Sequence, residues 1–450
     1  MEIVTDKSKY EIIKELGLLV NSEIKEEFDK QRNKGICPEK IIEELRSEIN
    51  DEAIISRLAS IRAIALNITN KCNFRCGYCS YSGDYKYNRV HGNKSMDYDI
   101  ALRAVDFFLK MIDDNFRIRK RNLFGISFYG GEPLVEFDLI KRMIPDIESR
   151  IKKNNLDKKF KINLRITTNG SLLRKEIVDF LKSKNISIDI SLDGPESEHD
   201  KFRIGKNGEK TWRTIMGNLE YIRERYPQYY KEKIKFLSTV HPFHDENHIE
   251  SFFKGNDKLF DIDKIRFSAV NITNLKPAIY RELDKQIKKS GYNRLSTLVF
   301  STIVKDSLAE GFKLKYLGRI KKFTGACFPG GEKVLVDADG KFHICEKMPP
   351  LYPIGDVDNG FDFERIRYLL KMYNEEVIKQ RCWECDVWFL CNLCYTHAVT
   401  DKGIKINCEN KKEYYRYLIK RYLNDSEEQN EASSQIRHYD SASDYLDQLQ

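Results

Sequence analysis

Three cysteines lie close together in the chain, at Cys72, Cys76 and Cys79. The C-x3-C-x2-C spacing lets a single loop, residues 72–79 (the cysteine loop), bind three corners of one cubane iron–sulfur cluster. A structural [4Fe-4S] site takes four cysteine thiolates, so a group of three leaves one iron open to another ligand. The alternative is a zinc knuckle, which needs a fourth Cys or His nearby. His91 is the candidate, and it has no paired ligand. We therefore interpret the loop as a cluster site with one open iron.

A second group of seven cysteines lies between residues 327 and 408. Its members are Cys327, Cys345, Cys382, Cys385, Cys391, Cys394 and Cys408. A zinc ribbon needs two C-x2-C pairs about 15–20 residues apart, whereas only five residues separate Cys385 from Cys391. Clustered cysteines in a cytosolic chain indicate metal binding rather than disulfides. Cys37 stands alone, and we expect it to be an ordinary thiol.

From about residue 61, short apolar strands alternate with amphipathic helices. The predicted strands are 63–69, 123–129, 161–168, 186–192, 234–240 and 264–270, and the predicted helices between them are 97–112, 138–152, 174–183, 211–225 and 246–253. This alternation predicts right-handed βαβ units and a parallel sheet. Ser171 and Asp245 are expected to cap two of the helices.

Each of the first four predicted strands leads into a polar or glycine-rich motif. The motifs are the cysteine loop, Gly130-Gly131-Glu132-Pro133, Thr168-Asn169-Gly170 and Ser191-Leu192-Asp193-Gly194-Pro195. If the sheet curls into a barrel, the carboxyl ends of its strands form one rim, where the chemistry of such barrels is found. All four motifs would then share that rim.

This combination resembles the radical S-adenosylmethionine (AdoMet, SAM) enzymes over about residues 61–275. The resemblance implies a partial (β/α)6 TIM-like barrel whose open iron chelates the amino and carboxyl groups of AdoMet. An electron from the cluster would then cleave the C–S bond of AdoMet. The resulting 5′-deoxyadenosyl radical would remove a hydrogen atom from the substrate, while the protein positions the substrate and excludes water.

The motif at residues 128–133 matches the GGE motif of that family. Two glycines allow a backbone to approach a ligand closely. The carbonyl groups of this motif and the Glu132 side chain can hold the ammonium of AdoMet. A tight glycine turn capped by Glu132 is the alternative interpretation.

Other AdoMet contacts follow from the same resemblance, position by position. The full set of implied positions is Tyr78, Gly130, Gly131, Glu132, Asn169, Ser191 and Arg203. Tyr78 would lie against the adenine, and Asn169 and Ser191 would face the ribose and carboxylate region. Arg203 would grip the carboxylate with its planar fork, although a surface ion pair with Asp200 is the alternative.

The distal cysteines resemble the SPASM extension of radical AdoMet enzymes that modify peptides and proteins. By position, one auxiliary [4Fe-4S] cluster would be held by Cys382, Cys385, Cys391 and Cys408, and another by Cys327, Cys345 and Cys394, which gives three clusters in total. Relatives that mature sulfatases have a further cysteine in the interval that corresponds to 327–345, and this chain has none. One auxiliary iron would therefore be open, or bound by Glu332, Asp337 or Asp339.

An open auxiliary iron could bind a substrate cysteine beside the carbon radical and accept the surplus electron as an S–C bond forms. Residues 79–91 also resemble maturases of cysteine-rich ribosomal peptides. We therefore predict a thioether-forming maturase that acts on a cysteine-rich precursor peptide with a leader, with flavodoxin or ferredoxin as electron donor. Glu346, directly after Cys345, is the predicted catalytic base, or it pairs with a nearby Lys.

Three alternatives stay open: an anaerobic sulfatase-maturing enzyme, a maturase that forms C–C links, and an iron–sulfur electron-transfer protein without turnover. The GGE motif and Arg203 argue against the last, because an electron carrier has no need to hold AdoMet.

Composition limits the remaining possibilities. The chain has 450 residues, 41% hydrophobic and 32% charged, with no apolar run of 18 residues and no secretory signal. We expect a cytoplasmic protein. Its net charge of +8 is spread along the chain, so neither nucleic acid nor membrane is an expected partner.

The predicted divisions are a helical segment (1–60), the radical AdoMet barrel (61–275), a helical bridge (276–320), the SPASM domain (321–424) and an acidic disordered tail (425–450).

Overall fold

The computed structural model describes residues 38–47, 49–119, 122–270, 275–289, 327–382, 394–406 and 408. The predictions for Cys37, Cys385, Cys391, the acidic tail and most of the helical segment and helical bridge lie outside these residues. The described residues fall into two compact units, one within 50–299 and 327–369 and the other within 38–49 and 370–408.

A mixed α/β arrangement with a mostly parallel sheet forms the first unit. Its strands are β1 (Ala63–Thr69), β2 (Leu123–Gly130), β3 (Lys161–Thr168), β4 (Ser187–Ser191), β5 (Ile234–Val240), β6 (Ile265–Ala269), β7 (Lys333–Val336) and β8 (Phe342–His343). The order across the sheet is β6-β5-β4-β3-β2-β1-β7-β8. Neighbours from β6 to β7 are parallel, and β8 is antiparallel to β7. The first six strands begin and end within one residue of their predicted ends, because the apolar runs are bounded by polar and glycine residues.

Helices follow the strands as the alternation predicts. They are α1 (Pro38–Ser47), α2 (Asp51–Leu58), α3 (Tyr98–Asp114), α4 (Phe137–Lys153), α5 (Lys175–Ser183), α6 (Glu196–Phe202), α7 (Trp212–Arg225), α8 (Pro227–Lys233), α9 (Glu246–Gly255), α10 (Pro277–Lys289), α11 (Phe363–Lys379) and α12 (Tyr395–Ala398). Two short hairpins pair β9 (Gly355–Asp356) with β10 (Gly360–Phe361) and β11 (Val399–Thr400) with β12 (Gly403–Ile404). None of the described helices is both long and apolar enough to span a membrane.

One of the two predicted helix caps is confirmed. The Asp245 carboxylate accepts hydrogen bonds from two backbone N–H groups at the start of α9. The prediction for Ser171 is wrong, because α5 begins later and its N-cap residue is Arg174. The Ser171 hydroxyl instead donates to Asn169 Oδ1 at 2.7 Å and accepts from the side chain of Asn73.

Strand β7 was not predicted, and it changes the position of β1 in the sheet. Ala63 pairs with Lys333 and Leu66 with Val336, so β1 lies between β2 and β7 instead of at an edge. Six of the seven residues of β1 are buried. A parallel strand with two neighbours is expected to be a continuous apolar run, as 63–69 is.

An aromatic cluster fixes the segment that follows β7. The ring of Phe342 in β8 lies 5.1 Å from that of Phe108 in α3, and the ring of Phe361 in β10 lies 5.9 Å from it. Phe108 and Phe342 are fully buried, and each buried phenylalanine contributes about 2–3 kcal/mol. This packing positions the short segment from β8 to Glu346.

Candidate active site

Backbone pairing holds the cysteine loop against the segment that follows α6. The N–H of Arg75 donates to the carbonyl of Ile204 at 2.8 Å, and the N–H of Gly77 donates to the carbonyl of Phe202 at the same distance. Two parts of the chain more than 120 residues apart are therefore fixed to each other. This pairing places Arg203 beside the loop.

The three cysteines of the loop are half-buried, and none forms a disulfide. Backbone N–H groups point at two of the sulfurs: Phe74 donates to Cys72 Sγ at 3.3 Å and Tyr81 donates to Cys79 Sγ at 3.4 Å. Hydrogen bonds of this kind tune cluster potentials. Burial raises the pKa of Cys72 to about 12 and that of Cys76 to about 11, so a cationic metal centre would stabilise their thiolate forms.

These residues fit a cluster better than a single metal ion. Within the described ranges, no three Cys, His, Asp or Glu side chains converge closely enough to hold one ion. A cubane is larger than an ion, so its corner thiolates lie further apart. The donors are three free thiols on one loop, as the spacing predicts.

The two glycines of the GGE motif approach the chain's own backbone. A Cβ atom at Gly130 would lie 2.4 Å from the carbonyl oxygen of Thr69, and one at Gly131 would lie 2.2 Å from that of Lys71. The N–H of Gly131 donates to the Thr69 carbonyl at 2.8 Å. We expected these glycines to allow a close approach to a ligand. The structure shows that they allow the end of β2 to pack against the residues that lead into the cysteine loop.

Glu132 joins the end of β2 to the end of β3. Its side chain is fully buried and accepts hydrogen bonds from Thr168 Oγ1 at 2.8 Å, the N–H of Asn169 at 2.7 Å and the N–H of Leu134 at 3.0 Å. Burial raises the pKa of Glu132 to about 7 despite these bonds. Both carboxylate oxygens therefore bind protein donors at the rim where an ammonium site was predicted.

Asn169 contacts the cysteine loop through Asn73, which was not a predicted site residue. Asn169 Nδ2 donates to Asn73 Oδ1 at 2.8 Å, and Asn73 in turn donates to the Ser171 hydroxyl at 2.9 Å. The only sequence feature that marks Asn73 is its place inside the cysteine loop. Ser191 is the last residue of β4, on the same rim.

Tyr78, Asp193 and Arg203 form a buried polar group behind the loop. Arg203 Nη1 donates to the Tyr78 hydroxyl at 2.9 Å, and that hydroxyl donates to Asp193 Oδ2. Burial raises the pKa of Tyr78 well above its usual range and also raises that of Asp193. Arg203 is only 7% exposed, and its Nε is buried without a hydrogen-bond partner among the described residues.

The alternative ion pair for Arg203 is absent from the described structure. Asp200 Oδ1 instead accepts from the backbone N–H groups of Thr211 and Trp212, at 3.0 and 3.1 Å. The N–H at Arg203 Nε has no hydrogen-bond partner among the described residues, and the guanidinium interacts electrostatically with Cys76. A buried cationic N–H without a partner is a group that an anionic ligand could satisfy.

Glu346 pairs with Lys333, the first residue of β7, at 2.9 Å between Nζ and Oε2. Burial alone would raise the pKa of Glu346, but Lys333 outweighs it and lowers the pKa to about 2. Glu346 also interacts electrostatically with Tyr129 and Tyr81. The pairing with a nearby Lys, one of the two predicted roles, is thus observed, and it holds Glu346 as a carboxylate.

The three carboxylates proposed as auxiliary ligands all have cationic or imidazole partners. Glu332 pairs with Arg62 at 2.8 Å, Asp337 with His343 at 2.7 Å, and Asp339 with Lys94. Each would have to leave its partner to bind iron.

The structure describes five of the seven distal cysteines, none of them in a disulfide. Cys327 and Cys345 belong to the first unit, and Cys382, Cys394 and Cys408 to the second.

The radical SAM superfamily profile matches residues 66–254. This match runs from β1 into α9 and includes the cysteine loop, the GGE motif, Asn169 and Arg203. The chain contains a radical SAM domain. Within that domain the five predicted helices and the described strands follow the predicted order, and α6 and α8 are helices that were not predicted.

Relatives of this radical SAM domain differ in how much of their length is aligned. The radical SAM cyclopropyl synthase TigE of Paramaledivibacter caminithermalis is 27% identical over 228 residues, 48% of this chain and 44% of TigE. The chain therefore spans less than half of that relative. The cysteine-type anaerobic sulfatase-maturating enzyme of Clostridium perfringens strain 13 is 22% identical over 78% of this chain and 95% of the enzyme.

A solved structure, hexahistidine-tagged anSMEcpe with bound AdoMet, shares the fold. It superimposes with a TM-score of 0.56 at 18% identity and covers 86% of this chain and 99% of the other. The likeness shows that the two chains share a fold.

Proposed function

We propose that this chain is a radical AdoMet peptide maturase that forms cysteine thioether cross-links in a ribosomal precursor peptide. The observation that carries the proposal is a gap among the distal cysteines, which would leave one auxiliary cluster short of a ligand. No cysteine lies between Cys327 and Cys345, and the nearby carboxylates already have partners. An iron left open in this way can bind a substrate thiolate.

Most of the residues that would hold the first cluster and AdoMet lie at or just after the ends of β1 to β4, which would form one rim of a partial (β/α)6 barrel. Cys72, Cys76 and Cys79 would hold the first cluster, and the SPASM region at 321–424 would hold two more. When bound, the first cluster and AdoMet supply a 5′-deoxyadenosyl radical.

The chain's own side chains would orient and enclose AdoMet. Arg203 offers its unpartnered Nε to the AdoMet carboxylate, and its Nη1 is occupied by Tyr78. The hydrogen bonds of Tyr78 fix the ring that would lie against the adenine, since a side chain held at its far end cannot turn away. Asn169 and Ser191 would face the ribose and carboxylate. Glu132 would hold the ends of β2 and β3 at a fixed separation in the motif that would bind the ammonium.

Glu346 would accept a proton from the substrate. Its ion pair with Lys333 keeps it ionised but lowers its basicity, with a pKa of about 2. Because an effective base has a pKa near the working pH, the base role requires that the bound substrate weakens this ion pair. It directly follows Cys345, a proposed auxiliary-cluster ligand, so a substrate thiol bound there would lie close to it.

The named relatives support a peptide or protein substrate. Anaerobic sulfatase-maturating enzymes of Clostridium novyi and Clostridium perfringens align with this chain, and a structure of anSMEcpe with the Cp18Cys peptide has the same fold at a TM-score of 0.53. Sulfatase maturation is therefore the second candidate function. For both candidate functions the partners would be a peptide substrate and an electron donor such as flavodoxin or ferredoxin. A thioether maturase would act on a precursor peptide with a leader. Either reaction would take place in the cytoplasm.

The test compares two substrates after anaerobic reconstitution with iron and sulfide. With reductant, AdoMet and a cysteine-rich precursor peptide, we expect 5′-deoxyadenosine and a peptide lighter by about two hydrogens per link, as dehydrogenative bond formation requires. Cys345→Ala should retain AdoMet cleavage and lose the link, whereas the matched variant Cys37→Ala should keep both. Formylglycine on a sulfatase peptide, with no cross-link, would replace the proposal by its second candidate.

A further inference from the structure

A closed ring of hydrogen bonds lies behind the cysteine loop. Its five members are Tyr78, Asp193, His199, Arg203 and Thr211. They come from the cysteine loop, the end of β4, α6, the residue after α6 and the residue before α7. Neither His199 nor Thr211 was a predicted site residue.

The ring passes from one residue to the next without a gap. The N–H of Asp193 meets His199 Nδ1 at 3.3 Å, and His199 Nε2 lies 3.1 Å from Thr211 Oγ1. Thr211 Oγ1 donates to the carbonyl of Arg203 at 2.6 Å. Arg203 Nη1 then donates to Tyr78, which donates back to Asp193.

Only one arrangement of hydrogens satisfies every bond. A backbone N–H can only donate, so His199 Nδ1 must accept from Asp193 and Nε2 must carry the hydrogen. Nε2 then donates to Thr211 Oγ1, whose own hydrogen is used by the Arg203 carbonyl. His199 is completely buried, and burial together with Arg203 lowers its pKa well below the usual range. The neutral Nε2–H form is the one that the ring needs.

We propose that His199 and Thr211 are positioning residues for the AdoMet site: they hold Arg203 and Asp193 in the arrangement that leaves one N–H of Arg203 unpartnered for the AdoMet carboxylate. This inference rests on the proposed function of the radical SAM domain. Neither residue contacts the proposed ligand, and each acts through Arg203 or Asp193. His199 is linked to both residues: its imidazole bonds Asp193 directly and Arg203 through Thr211.

The structure supports positioning over simple packing because the ring determines orientation. Thr211 bonds the backbone carbonyl of Arg203, and Tyr78 bonds its guanidinium, so both ends of the arginine are fixed. An apolar replacement of Thr211 keeps the volume but leaves His199 Nε2–H and the Arg203 carbonyl without this hydrogen-bond partner. We therefore expect a lower Tm together with a loss of AdoMet affinity, and retention of iron separates this result from general unfolding.

The test uses reconstituted protein with three substitutions at or beside the ring. Thr211→Val removes the hydroxyl at nearly constant volume, Thr211→Ser keeps it, and Thr214→Val makes the same change at an exposed position of α7. AdoMet affinity is measured by equilibrium dialysis, iron content by assay and Tm by calorimetry. We expect Thr211→Val to weaken AdoMet binding about 10–100-fold, the equivalent of losing one hydrogen bond to a charged group. Thr211→Ser and Thr214→Val should stay close to wild type, and all three should hold wild-type iron.

A double-variant comparison tests whether the two residues act as one unit. His199→Phe keeps a ring of similar size without either nitrogen, and we expect it to weaken AdoMet binding as Thr211→Val does. The double variant His199→Phe/Thr211→Val should be no weaker than the worse single variant, because both substitutions break the same link.

Wild-type AdoMet affinity in Thr211→Val would overturn the inference. So would equal losses of AdoMet affinity, iron and Tm in Thr211→Val and Thr211→Ser, which would indicate a merely structural role. If wild-type reconstituted protein with full iron fails to bind AdoMet, both the proposed function and this inference are wrong.

Discussion

Replacing Gly131 by alanine should loosen the base of the cysteine loop. The new Cβ would lie 2.2 Å from the carbonyl oxygen of Lys71, so the backbone must move. Two backbone hydrogen bonds depend on that approach: Gly131 N–H to the Thr69 carbonyl and Glu132 N–H to the Lys71 carbonyl, both 2.8 Å. A buried hydrogen-bonding group left unsatisfied costs about 1–3 kcal/mol. We therefore expect Gly131→Ala to lower the free energy of unfolding by about 2–6 kcal/mol.

Calorimetry and iron analysis check this value. At roughly 2 °C per kcal/mol for a unit of more than 200 residues, the Tm should fall by about 4–12 °C. The iron retained after reconstitution should also fall. Gly217→Ala is the matched control: Gly217 is exposed within α7, a Cβ there meets no atom within 4 Å, and alanine should stabilise the helix by about 0.5–1 kcal/mol. Wild-type Tm and iron content in Gly131→Ala would refute the reasoning.

Three further substitutions test other contacts. Glu132→Gln should destabilise the protein by about 1–3 kcal/mol in chemical unfolding, because an amide cannot accept all three hydrogen bonds; an unchanged midpoint would contradict this. Burial lowers the pKa of His241 and of His244 to about 4. Below pH 6.5 the unfolded chain therefore binds protons that the folded chain excludes, and stability falls as the pH falls towards 4, by up to about 1.4 kcal/mol per pH unit for each histidine. His241→Gln should lessen that slope in unfolding titrations, and an identical slope would count against the assignment. Lys333→Met should lower the free energy of unfolding by about 1–2 kcal/mol. This is less than the loss of a fully buried ion pair, because the Lys333 side chain is 34% exposed. A double-mutant cycle with Glu346→Gln that gives no coupling energy would show that the ion pair does not contribute.

Local sequence features were enough to predict the loop and the strand ends. Apolar runs bounded by polar residues predicted six strands to within one residue. The three-cysteine spacing predicted the loop. These features depend on short-range patterns, which the sequence contains directly.

Contacts between distant segments could not be predicted in the same way. Strand β7, Lys333–Val336, is only four residues long and pairs with a strand more than 260 residues earlier. Its Lys-Val-Leu-Val sequence would have indicated a strand but not its partner. The glycines of the GGE motif matched the expected residue types, but the backbone they approach became visible only in the fold. Ser171 is not a cap because α5 begins only at Lys175, and its hydroxyl bonds Asn169 and Asn73 instead.

The hydrogen-bond ring also depends on contacts between distant segments, which the sequence does not predict. His199 stands four residues before Arg203, and that proximity was the one sequence feature that could have marked it. Its link to Arg203 through Thr211 depends on how α6 and α7 pack, which no local pattern determines. Asp193 could have been only a turn residue, and its bond to Tyr78 gives it a second role.

The most direct test of the central claim is the detection of 5′-deoxyadenosine. Anaerobically reconstituted protein, dithionite and AdoMet are incubated, and 5′-deoxyadenosine and methionine are quantified by liquid chromatography and mass spectrometry. We predict both products from wild type and from Cys37→Ala, and neither from Cys76→Ala. Wild-type protein that holds its iron and yields no 5′-deoxyadenosine would contradict the account.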